Sequence, residues 1–454
     1  MESFDLIVIG SGSGLEISSE AAARGLSVAV VEQGPFGGTC LNRGCIPSKM
    51  LIHSADVMET IRGAGRFGIK AEVSAVDWQA IVSRVVNVID ADARAVEDGN
   101  RRNPNITVFK DTARFVGRKA LEVGGQQITA ETIVIAAGSR PAVPRIDGLS
   151  DVPFVTSDEA LRLPEQPRRL IVIGGGYIAA ELAHFFGALG TEVTIVEIAP
   201  RMLLQEDDDV SDRFTEIYRK RFTLLLNTAV RQARRQDGEI VLEAESEGRR
   251  QTLAADTLLV AVGRIPNTDL LDAAATGVAL SERGFIKVDE YLETEVPGIW
   301  ALGDVVGRFQ LKHSANLEAA YAAHNIFHPK HKVAVDYHAM PHAAFASPQV
   351  AGVGLTEREV AARKLPYASA TYEYSDTAYG SSIEDSDGFV KALANRQTKE
   401  ILGCHIIGTE ASILIQEVAN AMRMRLTTDA ITRSIYVHPA LPEVVQRAFG
   451  SLRL

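Results

Sequence analysis

The sequence is poor in cysteine, has no long apolar run and has no excess of basic residues. Three cysteines among 454 residues exclude a framework of structural disulfides. No apolar run approaches the roughly 18–20 residues that a membrane span needs, and the first predicted strand begins at Phe4, which leaves no room for a signal peptide. A net charge of −11 argues against nucleic acid or an anionic membrane as a partner, because both require a basic surface. We therefore expect a cytoplasmic protein.

Glycine, by contrast, is abundant. The 37 glycines outnumber the 17 prolines and cluster directly after short apolar runs, which is typical of nucleotide-binding turns. Two such runs have the same form, Asp5–Gly12 and, about 165 residues later, Leu170–Gly176. Each is followed by a helix of small residues and a second apolar strand that ends in an acid, Glu32 or Glu197. Because such glycines admit a pyrophosphate and such an acid binds a ribose, the sequence predicts an α/β fold with two Rossmann-like dinucleotide-binding domains.

The first of these turns departs from the pattern at one position. The third glycine position is occupied by Leu15, although Gly14 lies beside it. The third glycine normally allows close packing of helix on strand. We therefore expect the helix and the strand to separate slightly there, with no change in the type of nucleotide bound.

The rest of the chain is too long to share one core with these units. Three further apolar runs end at a glycine. In Thr132–Gly138 the glycine is the last residue, whereas in Thr257–Arg264 and Thr294–Asp304 a charged residue follows it. No such turn occurs from about residue 337 onward, where short strands alternate with helices. We predict a first dinucleotide-binding domain over residues 1–150, assigned below to FAD, a second over 151–270, assigned to NAD, a return to the first over 271–336, and a C-terminal α+β domain over 337–454.

The densest group of reactive side chains surrounds Cys40 and Cys45. Zinc sites need four ligands, and no second cysteine pair exists, so we predict no metal site. A dithiol can exchange with a disulfide, and the N-terminus of the helix that follows Cys45 lowers the pKa of a thiolate. Cys404 lies in an apolar run and is predicted to be a buried core thiol.

The segment Gly37–Lys49 reads Gly-Gly-Thr-Cys-Leu-Asn-Arg-Gly-Cys-Ile-Pro-Ser-Lys and is similar to the redox-active segment of the class I FAD-dependent pyridine nucleotide–disulfide oxidoreductases. The likeness extends from residue 4 to the C-terminus. It implies that Cys40 is the interchange thiol and that Cys45 is the charge-transfer thiol against the flavin. Lys49 is then expected near flavin N5, paired with Glu181.

The resemblance also implies a proton donor and a quaternary structure. The segment His438–Glu443 is similar to the family's His-Pro-x-x-x-Glu acid–base dyad, and histidine suits proton transfer near neutral pH. In the family, the C-terminal domain forms the dimer interface and each site takes its histidine from the other subunit. We therefore expect a homodimer with shared sites.

Cofactor contacts follow from the same resemblance, with the first glycine turn assigned to FAD and the second to NAD(H). The residues expected at FAD are Gly10, Gly12, Gly14, Glu32, Gly38, Thr39, Lys49, Ala137, Gly138, Arg264, Gly303 and Asp304. The residues expected at NAD(H) are Gly174, Gly176, Tyr177, Ala179, Glu197 and Gly263. Tyr177 matches the aromatic lid over the flavin in glutathione reductases, where lipoamide enzymes usually carry an aliphatic residue.

The nucleotide and the disulfide are indicated by different residues. A carboxylate at Glu197 bonds the 2′-hydroxyl of NAD and repels the 2′-phosphate of NADP. NAD in turn favours dihydrolipoamide dehydrogenase, which oxidises dihydrolipoamide to lipoamide, free or on a carrier protein. The segments His438–Val445 and Lys312–Asn316 resemble mycothione reductase instead, which is the alternative. A mercuric reductase is disfavoured because no cysteine follows Cys404, and a non-enzymatic flavoprotein subunit of a larger complex is the alternative outside catalysis.

Overall fold

The computed structural model describes all 454 residues. The helices are α1 Leu15–Ala23, α2 Gly38–Arg43, α3 Cys45–Gly63, α4 Trp78–Arg102, α5 Ser157–Ala160, α6 Tyr177–Ala188, α7 Asp208–Arg221, α8 Lys312–Phe327, α9 Glu357–Ala362, α10 Ala378–Ser382, α11 Ala411–Arg423, α12 Asp429–Thr432 and α13 Pro442–Gly450. The strands are β1 Glu2–Ile9, β2 Val28–Val31, β3 Ile106–Phe109, β4 Ala113–Gly117, β5 Ala120–Val123, β6 Gln126–Ile135, β7 Ser139–Pro141, β8 Arg169–Ile173, β9 Glu192–Val196, β10 Thr223–Leu225, β11 Ala229–Gln236, β12 Glu239–Ser246, β13 Arg249–Ala255, β14 Thr257–Val260, β15 Arg264–Pro266, β16 Ile299–Ala301, β17 Pro341–Ala344, β18 Gln349–Gly354, β19 Tyr367–Glu373, β20 Phe389–Asn395 and β21 Ile401–Gly408.

The first sheet is built around parallel strands in the order β3-β2-β1-β6, with β16 parallel to the end of β6. Strands β4 and β5 extend it in antiparallel fashion from β6. Residues 6–9 of β1 and all of β2 are buried, as expected for strands covered on both faces. The pairing of β16 with β6 unites two segments that the sequence predicts to be parts of one domain, although the exact domain boundaries stay a prediction.

A second parallel sheet, in the order β10-β9-β8-β14, repeats the same βαβ plan with α6 as its crossover helix. A separate three-stranded antiparallel sheet, β11-β12-β13, packs beside it. The two-stranded pair β15 and β7 joins the two nucleotide-type units. The predicted pair of Rossmann-like units is therefore confirmed.

The C-terminal part is an antiparallel sheet in the order β17-β18-β21-β20-β19. All eight residues of β21 are buried, and Cys404 lies within it with no exposed surface, as predicted. Helices α11 and α13 pack on the sheet through an apolar cluster of buried side chains. This is the α+β domain expected from the sequence.

The largest apolar core joins all parts of the molecule. It contains buried side chains of α3, α4 and α6, together with Ala344, Phe389 and Ile407 from the C-terminal sheet. Helix α3 is therefore held between the two nucleotide-type units and the C-terminal domain, and its first residue is Cys45. None of the helices combines the length and the apolar character that crossing a bilayer requires.

Candidate active site

A cavity of about 520 Å³ lies at the carboxyl ends of the first sheet, where β1 and β6 give way to glycine turns. In open α/β sheets this edge is where ligands bind. The predicted FAD residues that line it are Gly10, Gly12, Glu32, Gly38, Thr39, Lys49, Ala137, Gly138, Arg264, Gly303 and Asp304. Cys40, Cys45, Tyr177 and Glu181 line the same cavity.

The backbone around this cavity fits a dinucleotide. Gly10 has φ +102°, and a Cβ there would collide with the carbonyl oxygen of Ala136. A Cβ at Gly12 or Gly138, by contrast, would meet no protein atom within 4 Å, so these two glycines face open space in the cavity. This combination leaves backbone N–H groups accessible to a pyrophosphate.

The close contact of helix on strand falls at Gly14 and not at Leu15. A Cβ at Gly14 would lie 2.8 Å from Val8 and 2.9 Å from Ala136, which is too close for any other residue. Gly14 therefore supplies the packing that the third glycine of the pattern usually provides. The separation expected from Leu15 is not needed, and that expectation is wrong.

Glu32 is oriented at the end of β2 by local hydrogen bonds. Its carboxylate accepts hydrogen bonds from the backbone N–H and the hydroxyl of Ser11, at 3.0 and 2.8 Å, and from the N–H of Gly34, at 2.7 Å. The glycine turn and the acid are thus tied to each other, which fixes the position of the carboxylate at the edge of the cavity.

A second polar group lines the same cavity. The hydroxyl of Ser139 donates to Asp304 at 2.6 Å and accepts from Nε of Arg264 at 2.7 Å. Arg264 also donates to the carbonyl of Ser139 at 2.6 Å, and only 14% of its side chain is exposed. Ser139 therefore joins the two residues that the sequence singled out, but it was not itself predicted.

The two cysteines come from adjacent helices, with Cys40 in α2 and Cys45 as the first residue of α3. A hydrogen bond from Cys40 lowers the pKa of Cys45 to about 6, against the effect of burial and with help from Lys49. The same hydrogen bond, together with burial, raises the pKa of Cys40. At neutral pH the reduced pair is thus a Cys45 thiolate beside a Cys40 thiol.

Lys49 and Glu181 form the predicted ion pair, with Nζ 2.8 Å from both carboxylate oxygens. One residue of the C-terminal domain joins them. The N–H of Phe345 donates to Glu181 at 2.9 Å, and its ring centroid lies 4.7 Å from Nζ of Lys49. Nothing in the sequence pattern pointed to Phe345, because the contact depends on how the domains pack.

The second glycine turn lies at the end of β8. Gly174 repeats the geometry of Gly10, with φ +116° and a would-be collision with the carbonyl of Ala261. Glu197 lies beside this turn, since a Cβ on Gly175 would come within 2.9 Å of its carboxylate. Arg201, four residues further on, is paired with Asp208 and Asp212 at 2.8 and 2.9 Å.

His438 and Glu443 lie together but apart from the cysteines. Nδ1 of His438 is 3.0 and 3.1 Å from the carboxylate oxygens of Glu443, and the Ala440 N–H also bonds that carboxylate at 3.2 Å. The hydrogen bond with His438 holds the pKa of Glu443 below its usual value. His438 is 71% exposed and does not line the cavity that contains Cys40. One chain therefore does not bring the dyad to the cysteine pair.

Comparison with known proteins decides the family. The model of the pyridine nucleotide-disulphide oxidoreductases matches residues 4–324. The chain belongs to this family. Residues 340–449 match the dimerisation domain of the same oxidoreductases, which supports a homodimer.

Individual relatives cover the whole chain. The chain is 42% identical to mycothione reductase from Mycobacterium tuberculosis over 100% of both proteins. It is 35% identical to dihydrolipoyl dehydrogenase from Cupriavidus necator, over 98% of this chain and 97% of the relative. Among solved structures, the HOCl-induced flavoprotein disulfide reductase RclA from Escherichia coli is similar with a TM-score of 0.88 and 29% identity, covering 98% of this chain and 99% of that one.

Membership of the pyridine nucleotide-disulphide oxidoreductases identifies the chain as a flavoprotein enzyme with a redox-active disulfide. Its cofactors are FAD and a nicotinamide nucleotide. The predicted family, fold class and cofactor types are therefore confirmed.

Proposed function

We propose that this enzyme uses NADH to reduce a low-molecular-weight disulfide of the mycothione type. The observation that carries the proposal is that the cysteine pair, the Lys49–Glu181 ion pair and Tyr177 line one cavity with the glycine cradle. The aromatic residue at position 177 and the 42% identity with mycothione reductase favour a small disulfide over a lipoyl group. We assign FAD to this cavity, and it supplies the two-electron transfer between nicotinamide and cysteine sulfur.

In this proposal Lys49 and the N-terminus of α3 stabilise the negative charge of the Cys45 thiolate. They also stabilise the negative charge that the electrons from NADH bring to the part of the cavity next to Cys45. Two electrons and one proton, the equivalent of the hydride of NADH, cleave the Cys40–Cys45 disulfide and leave the Cys45 thiolate and the Cys40 thiol. Since the pKa of Cys40 is raised, this thiol needs a base before it can attack.

In this proposal the substrate disulfide is reduced in two thiol–disulfide exchange steps. Deprotonated Cys40 attacks one sulfur of the substrate disulfide, the substrate S–S bond breaks, and the departing thiolate takes the proton from the acid–base group. Cys45 thiolate next attacks the sulfur of Cys40, re-forms the Cys40–Cys45 disulfide and releases the second substrate thiolate, which takes a proton from the solvent. In sum, one disulfide, one NADH and one proton give two thiols and NAD⁺.

We assign the acid–base role to His438 of the partner subunit, held by Glu443. Exposed apolar side chains near His438 support a covered interface, since Ile435 is fully exposed and Val437 is 78% exposed in the single chain. The test is to mix inactive Cys40→Ser and His438→Ala subunits after dissociation. Hybrids with one complete site should restore about one quarter of the wild-type activity, because half of the dimers are hybrids and each has one good site of two. No recovery despite hybrid formation would place both groups in one subunit.

Dihydrolipoamide dehydrogenase is the second candidate, and Glu197 is the observation that favours it through its preference for NAD. A cytoplasmic location stays a prediction, based on the reducing conditions in which a close cysteine pair serves catalysis.

A side-by-side assay separates these functions. We expect mycothione reduction with NADH to exceed lipoamide reduction, and to exceed the reaction with NADPH, by at least about tenfold in kcat/KM, equivalent to 1.4 kcal/mol. Faster oxidation of dihydrolipoamide by NAD⁺ would instead establish the second candidate. Absence of turnover with every disulfide would leave only a binding role for the flavoprotein.

A further inference from the structure

Tyr177, the first residue of α6, is tied to the C-terminal domain through a buried carboxylate. Its hydroxyl donates to Glu206, which lies in the loop before α7 and is 1% exposed. His342 on β17 lies on the other side of the same carboxylate, with Nε2 3.0 Å from it. The three side chains form a continuous connection from the cavity wall to a different domain.

The pKa shifts of Glu206 and His342 each favour the charged form of the side chain. Burial alone would raise the pKa of Glu206, but His342 and the Tyr177 hydroxyl hold it below its usual value. Burial lowers the pKa of His342, and the attraction of Glu206 more than offsets this, so that the pKa of His342 is raised. Glu206 is thus an ionised acceptor, and a hydrogen bond from Tyr177 to it is stronger than one between neutral groups.

The same short segment of the C-terminal domain contacts the charged pair near the cysteines. His342 reaches Glu206, and Phe345 donates its N–H to Glu181 and places its ring beside Lys49. Ala343, between them, lines the cavity together with Tyr177. This segment therefore touches both the Lys49–Glu181 pair and the carboxylate that accepts the Tyr177 hydrogen bond.

We propose that Glu206 and His342 are positioning residues that tether Tyr177 and so set the cost of opening the nicotinamide site. The inference rests on the proposed function, in which NADH delivers electrons at the cavity that Tyr177 lines, and it adds that the nicotinamide enters past this ring. For the ring to move aside, its hydroxyl must leave a buried, ionised acceptor. A ligand that binds only the open form has its affinity reduced by the open fraction, so loss of the tether should strengthen binding.

The test measures NAD⁺ binding to the FAD-loaded dimer by isothermal titration calorimetry, which requires no turnover. Tyr177→Phe keeps the ring and removes the donor, and His342→Gln weakens the tether from its other end. Each should bind NAD⁺ at least about fivefold more tightly than wild type, a conservative fraction of what a hydrogen bond to a charged group contributes. His338→Gln is the matched control, because His338 lies in the same segment but bonds the carbonyl of Met422 at 2.9 Å.

A double-mutant cycle distinguishes a specific tether on Tyr177 from a general destabilisation of the domain. If the tether acts through the tyrosine hydroxyl, His342→Gln should add nothing in the Tyr177→Phe background. Unchanged affinity in both single variants, or full additivity in the double variant, would overturn the proposal. Should His342→Gln melt at a markedly lower temperature, Glu206→Gln replaces it with the same expectation. Failure of NADH to reduce the flavin of the wild type would refute the proposed function instead, so that the two failures are distinguishable.

Discussion

Replacement of Cys40 tests the electrostatic asymmetry of the cysteine pair. The pKa of Cys45 is lowered from the usual thiol value of about 8.5 to about 6, and the first cause is the hydrogen bond from Cys40. Cys40→Ser retains a donor, whereas Cys40→Ala removes it. A hydrogen bond to a charged group contributes about 1.5–3 kcal/mol. One pKa unit corresponds to 1.36 kcal/mol, and the exposure of Cys45 weakens the hydrogen bond toward the lower end of this range. The pKa of Cys45 should therefore be about one unit higher in the alanine variant than in the serine variant.

The assay is the long-wavelength charge-transfer absorbance between Cys45 thiolate and oxidised flavin, followed from pH 5 to pH 10. Because the pKa is lowered, the thiolate and its absorbance are present at neutral pH and disappear as the pH falls through the midpoint. Cys45→Ser should abolish the absorbance, and Cys404→Ala, a change at a fully buried thiol in β21, should leave it unaltered. Equal midpoints for the serine and alanine variants would refute the role of the Cys40 hydrogen bond.

Three further changes test other parts of the molecule. Lys391→Met should lower the free energy of unfolding by about 3–5 kcal/mol, as measured by denaturant melts. Lys391 is 3% exposed and lies 2.7 Å from the buried carboxylate of Asp207, which would lose its counter-charge. Glu443→Gln should slow thiol–disulfide interchange about 10–100-fold in stopped-flow experiments and leave flavin reduction by NADH unchanged, since only the orientation of His438 is affected; equal slowing of both steps would contradict the dyad. Glu197→Ala should raise KM for NADH about tenfold and lower KM for NADPH, because the bond to the 2′-hydroxyl and the repulsion of the 2′-phosphate are lost together, and a parallel rise for both would refute its contact with the 2′-hydroxyl.

The parts of the fold that could be predicted are those with local causes. The strand before Gly10 and the strand before Gly174 are short apolar runs, and each glycine adopts a positive φ that other residues disfavour. The redox segment was predictable for a similar reason, since six consecutive positions fix both cysteines and the start of α3. The residues that determine these features lie close together in the sequence.

The missed features depend on contacts between distant parts of the chain. Ser139, Glu206 and Phe345 bear no periodic or motif signal, and each makes contacts with residues more than 100 positions away in the sequence. The wrong expectation at Leu15 has the same origin. The pattern counts positions along the turn, whereas the tight contact is decided by which glycine meets Val8 of β1 and Ala136 just after β6, and that glycine is Gly14.

The conflict between the two substrate clues has a structural resolution. Glu197 lies beside the second glycine turn and does not line the cavity that contains Cys40. In our proposal, the nucleotide preference and the disulfide preference are thus set by separate groups of side chains, and neither constrains the other. Inference from NAD to lipoamide rests on association between enzymes, whereas the disulfide meets only Cys40, its surroundings and, in our proposal, His438 of the partner subunit. An NADH-dependent reductase of a small disulfide is therefore chemically coherent, and disulfide and nucleotide must be varied independently to establish it.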